Sequence, residues 1–359
     1  MKRQQLLVLS AVTIVAIVAA GLFTHSRAPQ IKIEKETLFP ELASKINDVA
    51  RIEITSEDRT VILQKQDKLW VLQSADNYPA QFDKIKDTVI SLSELKILAT
   101  KTDKPKLYPE LGVEGLSIGD SGAKNSTSLL LMLKDKSGAT LASLIVGKTR
   151  KSSAGKSRPN LYVRKPDAKN ALLVEGYLQI KSHNTDWYER HVIHIPAARI
   201  QDVNIVKSNG NHLKINKPSK GETEFKLVEG KTASPSVLLN RLATFFEDMR
   251  VDGVHAIDSF EFPDGTTLTT FTTFNGLVII VKSFLIEENS EEKAFAHFSF
   301  TVLTSNTDSD GEKMTSSDSG TLSVEEESRL WNEFLSNWVY EIPGFKFETL
   351  DIHVGQSPE

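Results

Sequence analysis

The chain contains no cysteine. That excludes disulfides, thiolate metal sites, a cysteine nucleophile and a lipidated cysteine anchor at once. It also lacks a block of one charge: 43 basic and 47 acidic residues are mixed along 359 positions, leaving a formal net charge of −4. Without a basic stripe to follow a phosphate backbone, nucleic acid is not an expected partner. A P-loop, a dinucleotide glycine fingerprint and an H-E-x-x-H zinc motif are missing too. Any ATPase that works with this chain is therefore expected to be a separate polypeptide, and no cofactor is expected.

What the chain does have, first, is one long apolar run. Residues 6–23 (LLVLSAVTIVAIVAAGLF) carry no charge, and only Ser10 and Thr13 interrupt them. As a helix this run would span roughly 27 Å, enough for a bilayer core. Lys2 and Arg3 precede it, so the positive-inside tendency places the amino terminus in the cytoplasm. The competing reading is a cleaved signal peptide ending at Ser26-Arg27-Ala28, although Pro29 is a poor residue to follow a cut. The expectation is an uncleaved transmembrane helix over residues 1–28, with the rest of the chain in the periplasm against the cytoplasmic (inner) membrane.

The remaining chain repeats itself. Residues 49–54 (VARIEI) alternate apolar and polar, as a half-buried strand does, and residues 60–63 and 69–72 follow as short strands. Pro79 is expected to open a helix whose stripe is Phe82, Ile85, Val89, Leu92 and Leu95. The second copy starts with residues 200–205 (IQDVNI), followed by residues 212–215 and 224–227. Ser234-Pro235 then provides a helix start, with Leu238, Leu242, Phe245, Phe246 and Met249 as the stripe. Three further strands are read in each copy: 128–133, 140–146 and 161–164 in the first, then 271–274, 277–281 and 295–300. Asn275-Gly276 is a strong hairpin turn. A last helix begins at the capping box Ser323/Glu326 and is expected to bury Leu330, Trp331, Phe334, Leu335 and Trp338.

The predicted fold is thus α+β: a transmembrane helix, then a duplicated β-β-β-α-β-β-β unit with antiparallel sheets. The expected domains are residues 1–28, a first repeat over 29–194 and a second over 195–359 with the C-terminal helix.

Several phrases resemble a family known as a domain of unknown function. They are Leu38-Phe39-Pro40-Glu41-Leu42, Asn47-Asp48-Val49, residues 102–113 (TDKPKLYPELGV, through Pro105, Tyr108 and Leu111-Gly112) and Asp186-Trp187 with Arg190. Members of that family are anchored bacterial envelope proteins, often encoded beside gliding-motility-type ABC transporter subunits. The resemblance implies an accessory role at an ABC transporter membrane subunit. It implies no catalytic residues.

Other motifs point weakly to chemistry. Gly115-x-Ser117-x-Gly119 has the form of a nucleophile elbow but lacks the strand before and the helix after that the elbow needs. His183, His191 and His194 cluster with Asp186 and Glu189 like metal ligands, yet on a strand His191 and His194 would face opposite ways. Asn306-x-Asp308-x-Asp310-Gly311 opens like a calcium loop, but its twelfth position is Ser317 where a glutamate is needed. Trp187 and Trp338 close the two copies alike and are expected to pack across the base of their own sheets. No catalytic, cofactor or metal residue is assigned. The expected function is that of a non-catalytic envelope accessory protein supporting or regulating an ABC transporter complex. The alternative is a binding module for a lipid, glycan or peptide.

Overall fold

Alternation of apolar residues builds the first sheet. In β1 (Val49–Thr55), Ile52 and Ile54 are fully buried, while Arg51 and Glu53 on the other face are only half-covered. The strands β2 (Thr60–Gln66), β3 (Leu69–Leu72) and β4 (Tyr78–Pro79) add to it as antiparallel neighbours. Helix α1 (Phe82–Ser93) follows and buries Ile85, Val89 and Leu92. After β5 (Lys96–Thr102) the chain makes helical turns at Pro105–Leu107 and Tyr108–Leu111. It then runs through β6 (Leu129–Asp135), β7 (Thr140–Arg150), β8 (Asn160–Arg164) and β9 (Ala171–Glu175). The computed structural model describes residues 36–116, 126–150, 159–230, 236–288, 290–303 and 322–352.

A connecting segment containing β10 (His191–Ile193) leads to the second sheet. Its elements are β11 (Ile200–Val206), β12 (His212–Asn216), β13 (Lys226–Gly230), α2 (Ser236–Ala243), β14 (Met249–Arg250) and β15 (Gly253–Ala256). Then come β16 (Thr267–Thr273), β17 (Leu277–Glu288), β18 (Glu291–Val302), α3 (Val324–Leu335), β19 (Trp338–Ile342) and α4 (Gly344–Leu350).

The first sheet has the order β4-β3-β2-β1-β6-β7-β8-β9-β5, and the second β13-β12-β11-β16-β17-β18-β19-β15. Apart from β4, the two orders match strand for strand. In each, the first strand of the sheet to follow the helix, β5 or β15, crosses to the far edge and pairs with the last strand of its sheet. One difference is α3, which lies between β18 and β19, whereas residues 165–170 join β8 to β9 directly. A single buried cluster, from Leu38 to Ile352, draws on both sheets.

These findings correct the expected fold. The chain is mostly antiparallel sheet with few helices, and the unit is not β-β-β-α-β-β-β. Among the described residues no helix is long and apolar enough to cross a membrane; the run 6–23 read as a transmembrane helix lies outside them. The strands β5 and β15 escape the sequence pattern because each sits at a sheet edge. β5 is half-buried or exposed throughout and shows no clean alternation. Pro79 does not open a helix: it pairs with Val71 at the end of β4, and Gln81 is the cap of α1. Met249 belongs to β14. Trp338 continues the helical spacing of α3 by position only, since pairing with β15 makes it a strand residue. The Ser234-Pro235 helix start lies outside the described residues.

Candidate functional site

The segment between the sheets is where the polar side chains converge. Asn184 bonds Ser74 twice, accepting from the Ser74 hydroxyl at 2.7 Å and donating to its carbonyl at 2.8 Å. Trp187 is buried, with its indole N–H donating to the Lys181 carbonyl at 3.0 Å. Its own carbonyl accepts the Gln81 N–H, at the start of α1, at 2.7 Å. Lys84, on α1, donates to the Asp186 carbonyl at 2.6 Å. The segment is thereby fixed to the first sheet and its helix.

Three residues on, the same segment grips the second unit. The Arg190 Nε donates to the Val251 carbonyl at 2.9 Å, and the Arg190 carbonyl accepts the Val251 N–H at 3.0 Å. Its guanidinium pairs with Asp252, and β10 pairs with β14 beside it. The Asp76 carboxylate reaches across from the first unit to accept the Ala256 N–H at 2.9 Å.

Aromatic rings fill the seam these bonds frame. Tyr78 meets Tyr188, Trp338 and Tyr340 edge-on, at centroid distances of 5.2, 4.8 and 6.3 Å. Such contacts add about 0.5–1.5 kcal/mol each beyond the area they bury. Burial pushes the Tyr188 and Tyr340 phenols well above the usual tyrosine value, against the pull of Arg190 on Tyr188. Both therefore stay neutral at ordinary pH. The Tyr188 hydroxyl is buried with no hydrogen-bond partner among the described residues. Tyr188 also lines a cavity of about 410 Å³, together with Gln81 and Lys84 of the first unit, Glu189, Arg190 and His191 of the connection, and Arg250 of the second unit.

The residues singled out for chemistry do not form one centre. His183 stands 3.9 Å from Asp186, and His191 stands 3.3 Å from Asp248. His194 is exposed. Among the described residues no three His, Asp or Glu side chains are grouped to hold a metal. Ser117 and the Asn306–Ser317 segment lie outside the described residues. Trp187 packs in the core, but Trp338 does not pack only on its own sheet: its ring lies against Tyr78 of the other.

The resembling phrase at 102–113 is architectural. The Tyr108 hydroxyl donates to the Lys169 carbonyl, and the Arg164 guanidinium lies 4.7 Å from the centre of the Tyr108 ring. Arg164 in turn donates from Nε to the Val113 carbonyl at 2.9 Å. Leu38 and Leu42 of the other phrase are buried.

A second feature lies on α3, and the helical spacing alone misplaces part of it. Leu335 is buried, but Phe334 is 64% exposed and Leu330 and Trp331 are half-covered. With Leu322, Arg199, Asn275 and Glu327 they line a groove of about 660 Å³. Arg199 and Glu327 form its paired wall, with two N–H···O bonds of 2.8 and 2.7 Å. A signal for it exists in the sequence: the apolar stripe of α3 is wider than one sheet-facing side can bury.

The model of the Domain of unknown function (DUF4340) family matches residues 70–265, more than half of the chain. The chain belongs to the DUF4340 family. The match begins in β3 and ends just before β16, so the DUF4340 region straddles the seam and includes Asp186, Trp187 and Arg190. No curated protein and no solved structure matches the chain.

Proposed function

We propose that this DUF4340 chain is a non-catalytic accessory protein of the bacterial envelope, supporting or regulating an ABC transporter complex at the cytoplasmic membrane. The seam carries this reading. Lys84, Asn184, Arg190 and Asp252 direct their polar groups into bonds that tie two sheets together. Catalysis calls for titratable groups left free to meet a substrate, whereas Lys84 and Arg190, which line the seam cavity, are already engaged by the Asp186 and Val251 carbonyls and by Asp252. A stiff two-sheet body suits a part that holds or positions other subunits, because little order has to be gained on binding. The transporter itself enters through the resemblance of the phrases at 38–49, 102–113 and 186–190. The test is affinity purification of the full-length chain from native membranes in mild detergent, followed by mass spectrometry. The expected result is enrichment of an ABC permease or its ATPase; recovery of the chain alone at native expression overturns the reading.

The seam cavity favours a second reading, a binding module for a lipid, glycan or peptide, because both units contribute to its lining. Native mass spectrometry of the purified chain distinguishes the two. A co-purifying ligand displaced by Arg250→Ala supports the binding module, and a bare mass counts against it.

A further inference from the structure

The two copies repeat a groove as well as a sheet. In the first copy a cavity of about 300 Å³ lies between α1 and the segment that follows β9. In the second, a cavity of about 670 Å³ lies between α2 and the segment that follows β19. β9 and β19 hold the same place in the two sheet orders, so the grooves correspond. Each has a buried aromatic residue in its lining, Trp187 in one and Phe245 in the other. Each also has an aromatic ring in the open. Tyr177, just after β9, is 61% exposed, and Phe345, just after β19, is 64% exposed. Side chains of the same segments steady both rings: Gln179 donates to the Tyr177 hydroxyl at 2.7 Å, and the Lys346 Nζ lies 5.9 Å from the centre of the Phe345 ring. One exposed ring on a surface is ordinary. Two at matching places, each on a cavity, are a repeated feature.

We propose that the two grooves are tandem subsites for a neutral oligosaccharide, each stacking a sugar ring on its exposed aromatic residue. The polar lining selects this class. The charged side chains balance in each groove: Lys84 and Lys181 against Asp87 and Asp186 in the first, Arg241 and Lys346 against Glu348 and Asp351 in the second. Lys84 and Lys346 are spent on backbone carbonyls, while Asp186 and Asp351 face His183 and Lys207. The side chains of Asp87, Lys181, Arg241 and Glu348 make no hydrogen bond or ion pair among the described residues. Each groove thus keeps one free donor and one free acceptor, with no excess of either charge to draw a phosphate or an acidic chain. A sugar hydroxyl donates and accepts at once and uses both, and the apolar C–H side of a sugar ring packs on an aromatic face. No strand lines either groove, so an extended peptide finds no backbone ladder to join. Ser91 and Asp87 in the first groove, Thr244 and Thr349 in the second, interrupt the apolar surface that a lipid chain would need. The inference rests on the binding-module reading for the existence of a ligand and moves its place, since the first groove shares only Lys84 and Asp186 with the seam cavity and the second shares nothing.

Equilibrium dialysis of the full-length chain against tritium-labelled maltotriose, cellotriose and triacetylchitotriose tests it. At least one of these is expected to saturate with one molecule at each groove. Tyr177→Ala and Phe345→Ala should each weaken one site about tenfold or more, and the double variant both. Tyr177→Phe keeps the ring and should keep both sites, and Arg250→Ala should change nothing. Both rings are exposed, so circular dichroism is expected to stay unchanged. Saturation by none of the three sugars, saturation that survives the double variant, or a loss in only one of the single variants overturns the proposal. So does a neutral alanine/serine peptide that binds in place of the sugars and is lost in the double variant, which makes the ligand a peptide. Sugar binding lost with Arg250→Ala and kept by the double variant assigns the ligand to the seam cavity; the grooves then fail and the binding-module reading stands. No bound sugar together with a bare mass in native mass spectrometry is a failure of the binding-module reading itself.

Discussion

The ring of Tyr78 meets the ring of Trp338 edge-on at 4.8 Å between centroids, and the two residues belong to different sheets. Tyr78 sits on β4, the strand by which the first sheet exceeds the second. The added strand thus presents an aromatic ring to the neighbouring sheet, and the seam is built on it.

Replacing that ring should loosen the two sheets together. Tyr78→Ala is expected to cost about 2–3 kcal/mol, less than a fully buried aromatic because Tyr78 is half-covered. Urea unfolding followed by tryptophan fluorescence measures the loss, and separation into two transitions would show that the seam couples the units. A change below about 0.5 kcal/mol would mean the polar bonds of Arg190 and Asp76 hold the seam unaided.

Gly147 is required by a close approach. A Cβ there would stand 2.4 Å from the Leu111 carbonyl oxygen and 2.5 Å from that of Gly112. Strand β7 therefore passes directly beneath the turn at the end of the phrase 102–113. Gly147→Ala is expected to cost about 1–3 kcal/mol through the forced shift. Faster amide exchange across residues 105–113 should accompany it. Gly221→Ala, with open space around it, is the control and should stay within about 0.5 kcal/mol.

His297 introduces a dependence on pH. It is buried on β18, its Nε2 lies 2.9 Å from the Ser336 carbonyl, and Lys282 and Phe262 flank it. Burial holds it below the ordinary histidine value of 6.5; the Ser336 carbonyl opposes that shift and Lys282 adds to it. Above 6.5 both the folded and unfolded chains carry it neutral, and its contribution to stability is complete. As pH falls from there through the lower folded value, the unfolded chain binds the proton first and stability declines. Denaturant midpoints measured from pH 7.5 down to about 5 should show this slope, and His297→Gln should flatten it. A slope unchanged in the variant would assign it to other groups.

Short-range features are legible in the order of residues alone. The alternation in β1 and β11 reads directly as strand, because successive side chains must point to opposite faces. The Asn275-Gly276 hairpin stands, with Gly276 at φ +89°. The Ser323/Glu326 capping box closes with the Glu326 N–H donating to the Ser323 hydroxyl at 3.2 Å. Of the candidate site, Asp186, Trp187 and Arg190 are visible as a phrase without a role.

By itself the sequence determined the alternating strands β1 and β11, the Asn275-Gly276 hairpin and the cap of α3, since those preferences are set by neighbours a few residues apart. Only the tertiary structure decided that β5 and β15 cross to far edges, that Arg190 grips Val251, and that the Trp338 ring meets Tyr78 of the other sheet. It also decided that Phe334 stays uncovered while Leu335 is buried. Each of these depends on which distant element lies alongside, and a periodic stripe specifies only that a face is apolar, not what will cover it.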